Sequence, residues 1–129
     1  NGNTSIDSLV GSFFYSEKHL LINRRSLVIT DLLTLENKKI KFGNDIDIEW
    51  AYLIDSTQVQ IIQAFSNICF VYDLNEEKVI DKKNITDERV YPNIFRWIYR
   101  GQGYNTNQVE MELLQKTDNE FTSTYFKIN

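Results

Sequence analysis

The sequence is poor in the residues that carry most protein chemistry. Cys69 is the only cysteine and His19 the only histidine among 129 residues. An intramolecular disulfide is therefore excluded, and a four-ligand Cys/His zinc site lacks its ligands. Neither a Ser-His-Asp nor a Cys-His arrangement can be assembled locally, and Cys69 lies in an apolar segment, where an inert buried thiol is expected. Pro92 is the single proline and there are five glycines. Gly101-x-Gly103 lacks the third glycine of a nucleotide fingerprint and reads as a hairpin loop. No apolar run approaches the roughly 20 residues of a membrane-spanning helix. Lys and Arg are missing from Phe42 through Glu77, although Asp45, Asp47, Glu49, Asp55, Asp73, Glu76 and Glu77 fall there. With a formal net charge of −4 and a pI near 5.0, the chain is a poor match for nucleic acid, because phosphate neutralisation needs clustered cations. The partner expected is a basic protein, with no nucleic acid, no membrane span and no cofactor.

What is present suits one β-rich domain spanning 1–129. Apolar residues make up 42% of the chain and aromatics number 8 Phe, 7 Tyr and 2 Trp, enough for one core. The chain opens on Asn1 rather than Met, and neither a signal peptide nor a lipidation motif is read in it, so no compartment is assigned. Over residues 4 to 21, Ile6, Leu9, Val10 and Phe13 have i, i+3, i+4, i+7 spacing, which predicts an N-terminal helix over the competing strand. From Ser26 onward short β-rich runs alternate with turn residues. They predict strands at Leu27–Thr30, Lys39–Phe42, Ile46–Ile54, Val59–Phe65, Ile68–Tyr72, Lys78–Ile80, Phe95–Tyr99, Gln108–Leu114 and Thr122–Ile128. The expected fold is mainly β, an antiparallel meander sheet, strongly curved or barrel-like.

Two segments resemble others further along. Val28-Ile29-Thr30-Asp31-Leu32 is matched by Phe70-Val71-Tyr72-Asp73-Leu74, and Trp50-Ala51-Tyr52 by Trp97-Ile98-Tyr99. Such spacing is that of four-stranded propeller blades. The chain is too short for the four blades that closure requires, so the expectation is two similar meanders in one sheet or barrel.

The clearest pattern is Asp45 to Asp55. Ile46, Ile48, Trp50, Tyr52 and Ile54 alternate with Asp45, Asp47, Glu49 and Asp55, placing apolar and acidic sets on opposite faces of a strand. Acids about 7 Å apart on one face repel weakly in water, and a Lys- or Arg-bearing partner would relieve that while gaining on-rate by steering. These four, with Glu76 and Glu77 on a nearby turn, are the candidate partner-binding residues; the competing reading is a solvated or aggregation-blocking sheet face. The segment lacks the calcium-loop spacing, so no metal is expected. Arg96-Trp97-Ile98-Tyr99-Arg100 interleaves cations with aromatics, but strand alternation sends Trp97 and Tyr99 to the core and the arginines to solvent.

The function expected is a non-enzymatic protein-binding module, inhibitor-like or, by analogy of size and acidity, like a toxin-neutralising immunity protein. The alternative is a small-ligand carrier. Leu9-Val10-Gly11-Ser12-Phe13 loosely resembles the Gly-x-Trp start of calycin β-barrels, though without its Trp, and that resemblance implies an apolar cavity larger than about 300 Å³ inside the sheet.

Overall fold

The structure is a computed structural model that describes residues 9–43, 46–55, 57–102 and 108–128. Among the described residues, eleven antiparallel strands form three separate sheets: β1 (Leu9–Tyr15), β2 (Lys18–Asn23), β3 (Ser26–Asp31) and β4 (Asn37–Lys41); β5 (Ile48–Leu53), β6 (Gln58–Gln63), β7 (Ile68–Asp73) and β8 (Lys78–Asn84); β9 (Ile94–Gln102), β10 (Val109–Thr117) and β11 (Glu120–Ile128). Within each sheet the strands follow chain order, each paired with the next. The first strands pack side by side, β1 on β5 and β5 on β9. Sequential meanders joined at their first strands are the arrangement of propeller blades.

The repeat seen in the sequence therefore marks one sheet per repeat, not two meanders within one sheet. No described sheet closes or curls strongly, so the barrel expectation is corrected. No helix occurs among the described residues. The predicted N-terminal helix is β1 and β2 over residues 9–21, while residues 4–8 lie outside the described residues. The reason is a bulge. Leu9 pairs with Asn23 and Gly11 with Ile22, leaving Val10 as an extra residue that breaks the period of two and spaces Val10 and Phe13 as a helix would.

The same device recurs in the other two first strands. Glu49 is the extra residue between the Ile48–Gln63 and Trp50–Ile62 pairs, and Phe95 is the extra residue between Ile94–Gln115 and Arg96–Leu114. Counted from the bulge, Trp50 corresponds to Arg96 rather than to Trp97. The expected tryptophan match is thus out of register by one residue, which reverses its face. Trp97 is 1% exposed, whereas Trp50 is half-buried.

The middle sheet is covered on both sides. Ile48, Ala51, Val59, Ile61, Phe70, Tyr72 and Leu74 pack against Leu20, Ile22 and Leu27 of the first sheet. Tyr52, Ile62 and Cys69 pack on the opposite side against Trp97, Val109, Met111, Leu113 and Ile128 of the third. Adjacent residues such as Cys69 and Phe70 thereby enter different cores, which is why β7 reads as a continuous apolar run from Ile68 to Tyr72. Burial raises the Cys69 thiol above its ordinary value, in keeping with an unreactive side chain.

Candidate functional site: two ends of the sheet arc

Glu49 does not lie on a solvated face. It stands at the β5 bulge with its side chain 5% exposed, and its Oε1 accepts from Arg96 Nε at 2.9 Å and from the Trp97 backbone N–H at 3.3 Å. The reason is position, since a strand between two packed sheets has no solvent face to offer. Just before β5, Asp47 faces Arg25 at 3.1 Å and Arg24 at 4.0 Å, and the Ile48 N–H donates to the Arg24 carbonyl. Asp45 lies outside the described residues.

Glu49, Arg96 and Arg24 border a cleft of about 290 Å³ where the three first strands begin, lined also by Val10, Trp50 and Tyr99. Trp50 stacks on Tyr99, with ring centroids 4.3 Å apart and planes at 17°. Tyr99 is 38% exposed, so it serves this stack rather than the core expected for it. Two motifs singled out separately in the sequence, the acidic run and Arg96–Arg100, meet here through the Glu49–Arg96 pair, while Asp47 is met by Arg24 and Arg25 instead. Arg100 continues the pattern: its Nε donates to Glu112 Oε1 at 2.8 Å, and this contact holds the Glu112 carboxyl below the usual range.

The other candidate acids gather at the opposite end of the strands. Asp55 Oδ1 accepts from the Thr57 N–H at 2.8 Å and from its hydroxyl at 3.0 Å, forming the β5–β6 turn. The β7–β8 turn, carrying Glu76 and Glu77, is held against it by the Leu74 N–H donating to the Thr57 carbonyl at 2.7 Å. Asp73 Oδ1 accepts from the N–H groups of Asn75 and Glu76 at 2.9 and 2.8 Å. Glu76 stands 3.8 Å from Lys78, and Glu77 pairs with Lys38 of the first sheet. Asp55, Asp73, Glu76 and Glu77 therefore form one acidic turn surface, continued on the first sheet by Glu17 and Glu36. About 20 Å of strand separates it from Asp47 and Glu49.

The first sheet repeats this construction. Asp31 Oδ1 accepts from the N–H groups of Leu33 and Thr34 at 2.9 and 3.1 Å, and the Leu32 N–H donates to the Glu17 carbonyl at 3.0 Å, as Leu74 does to Thr57. The Thr34 and Leu33 amides hold the Asp31 carboxyl below its ordinary value. Sequence reasoning missed the arginines at 24 and 25 and the exposed leucines of the β3–β4 turn. The arginines were visible as a pair, but nothing local links them to Asp47.

No family model matches this chain. No curated protein matches it either. Among solved structures it is similar to the N-terminal domain of Nup159, with 14% identity and a TM-score of 0.55 over 94% of this chain and 30% of that one. It is also similar to a chain in the complex of S. cerevisiae Dbp5 bound to Nup159, Gle1, IP6 and ADP, with 16% identity and a TM-score of 0.55 over 96% of this chain and 31% of that one. The likeness is one of fold, and the chain spans about a third of the length of either.

Proposed function

We propose that this chain is a non-enzymatic protein-binding module whose acidic turn end engages a basic surface on a partner protein. The observation that carries the proposal is the convergence of Asp55, Asp73, Glu76 and Glu77 on two turns joined by the Leu74–Thr57 hydrogen bond. Their charge is only partly offset by Lys38 and Lys78. Of the six acids expected to contact the partner, Asp55, Glu76 and Glu77 are the ones retained in this role. Asp47 and Glu49 are assigned to holding the sheets together, because their side chains, 29% and 5% exposed, are turned onto arginines, whereas Glu76 and Glu77 stay 62% and 43% exposed beside their lysines. A fold shared with a structure in which Dbp5 is bound to Nup159 supports a protein-binding role by analogy of architecture. Rigid sheets presenting turns at one end suit recognition, because the contact groups are fixed before the encounter.

The test is a pull-down from the native organism with wild type and the triple variant Asp55→Asn/Glu76→Gln/Glu77→Gln, followed by kinetics on the protein lost. At low salt the association rate should fall about tenfold or more, with the thermal midpoint unchanged. An unchanged on-rate sinks the proposal.

A further inference from the structure

We infer that the β3–β4 turn is an apolar anchor that enters a pocket on the partner protein, beside the acidic turn. The inference deepens the function proposed above and rests on it for the charge of that partner. The two third-to-fourth-strand turns are built alike. The Asp31 carbonyl accepts from Leu35 N–H at 2.7 Å as the Asp73 carbonyl does from Glu77 N–H at 2.8 Å, and Leu35 (φ 63°) and Glu77 (φ 57°) share the left-handed conformation. Together with the matching carboxylate bonds, this makes the second turn an internal control for the first. Where it carries Asn75 and Glu77, the first carries Leu33 and Leu35, exposed by 74% and 73%. The geometry therefore has no need of leucine there, and the left-handed region disfavours such a side chain. Leu32 is different, because its counterpart Leu74 is buried against the first sheet. Two leucines stand in solvent without a folding reason.

The surrounding charge selects the occupant. Asp31 and Glu36 belong to the same turn, Glu17 accepts the Leu32 N–H through its carbonyl, and the Lys38–Glu77 pair ties this turn to the acidic one; Lys18 opposite Asp31 and Lys38 offset only part of the combined negative charge. An anionic lipid surface is repelled by these carboxylates. A second copy docked turn to turn would oppose them with their own kind. A protein pocket lined by apolar side chains and rimmed by Lys or Arg satisfies both the leucines and the acids.

The probe is a random peptide library displayed on phage and panned against the wild-type protein, with enriched peptides resynthesised for anisotropy titrations. Enriched peptides should combine Lys or Arg with large apolar residues. They should bind Leu33→Ser/Leu35→Ser about tenfold or more weakly, at an unchanged thermal midpoint. No enrichment, or full affinity for the double serine variant, overturns the anchor. Flotation with phosphatidylcholine/phosphatidylserine vesicles that depends on the two leucines overturns it in favour of lipid, and leucine-dependent self-association in sedimentation overturns it in favour of a second copy. If Asp55→Asn/Glu76→Gln/Glu77→Gln weakens binding and the serine variant does not, the anchor falls and the acidic reading stands. The reverse supports the anchor and overturns the acidic reading.

Discussion

Glu49 and Arg96 are joined across two sheets by a 2.9 Å contact in which the carboxylate is 5% exposed and the guanidinium side chain 48%. The asymmetry decides which partner matters more. Arg96→Ala leaves a buried carboxylate with only the Trp97 N–H, so it should destabilise the fold by about 2–4 kcal/mol. Glu49→Gln keeps an acceptor for that N–H and removes the charge, so it should cost less than Arg96→Ala. Urea titration with a common slope reads both. Equal losses would show that the carboxylate is not the buried dependent group.

Asp31 and Asp73 make the same two hydrogen bonds to the backbone of their turns. Asp31→Ala and Asp73→Ala should therefore each lower the unfolding midpoint, as loss of an Asx turn leaves two N–H groups to water. Asn at either position keeps the acceptor and should recover most of the loss. The check is the unfolding midpoint of the four variants, and failure of Asn to rescue would argue that charge rather than turn geometry is at stake.

Stability should fall in acid. Hydrogen bonds hold Glu112 (to Arg100 first), Asp31 (to the Thr34 and Leu33 amides) and Asp87 (to Arg89) below their ordinary values of 4.5 and 3.8. Such groups stabilise the fold fully above the unfolded-state values. The contribution is lost as pH falls below those values and through the lower folded ones, because the unfolded chain takes up protons first. Glu112→Gln should flatten the decline below about pH 4 in a stability–pH profile. An unaltered profile would remove Glu112 from the account.

The strands from β3 onward were legible because their apolar runs are short and bounded by Asp, Asn and Ser turns, and the Asp31/Asp73 repeat was legible because one hydrogen-bond pattern demands one residue type. The N-terminal strands were not, since the extra residue at Val10 imitates helical spacing. The burial of Glu49 on β5 was not legible for another reason: alternation shows which residues share a face, but not that a second sheet will cover it. Arg96 lies 47 positions from Glu49, so their pairing followed only from the side-by-side packing of β5 and β9. The separation of Asp47 and Glu49 from Asp55, Glu76 and Glu77 is the length of one strand, a distance the sequence contained but composition did not display.

Tyr52 provides a test at the other extreme of pH. It is 7% exposed, its hydroxyl has no hydrogen-bond partner among the described residues, and burial first, with Cys69 nearby, pushes its pKa up to about 12 from 10.0. The folded state thus keeps the phenol neutral where the unfolded chain would ionise it. The benefit is whole below about pH 10 and is lost as pH rises through about 12, a swing of about 3 kcal/mol for two units. Tyr52→Phe removes the ionisable group and an unsatisfied buried oxygen together. It should leave stability at pH 7 unchanged or raise it by about 1 kcal/mol, and it should reduce the alkaline decline. Denaturant titrations of wild type and Tyr52→Phe at pH 7 and pH 11 test both parts. A variant destabilised at pH 7 would mean that the hydroxyl has a partner after all, and one that declines as steeply as wild type in alkali would place the alkaline loss elsewhere, with Cys69 the first group to examine because burial raises its thiol as well.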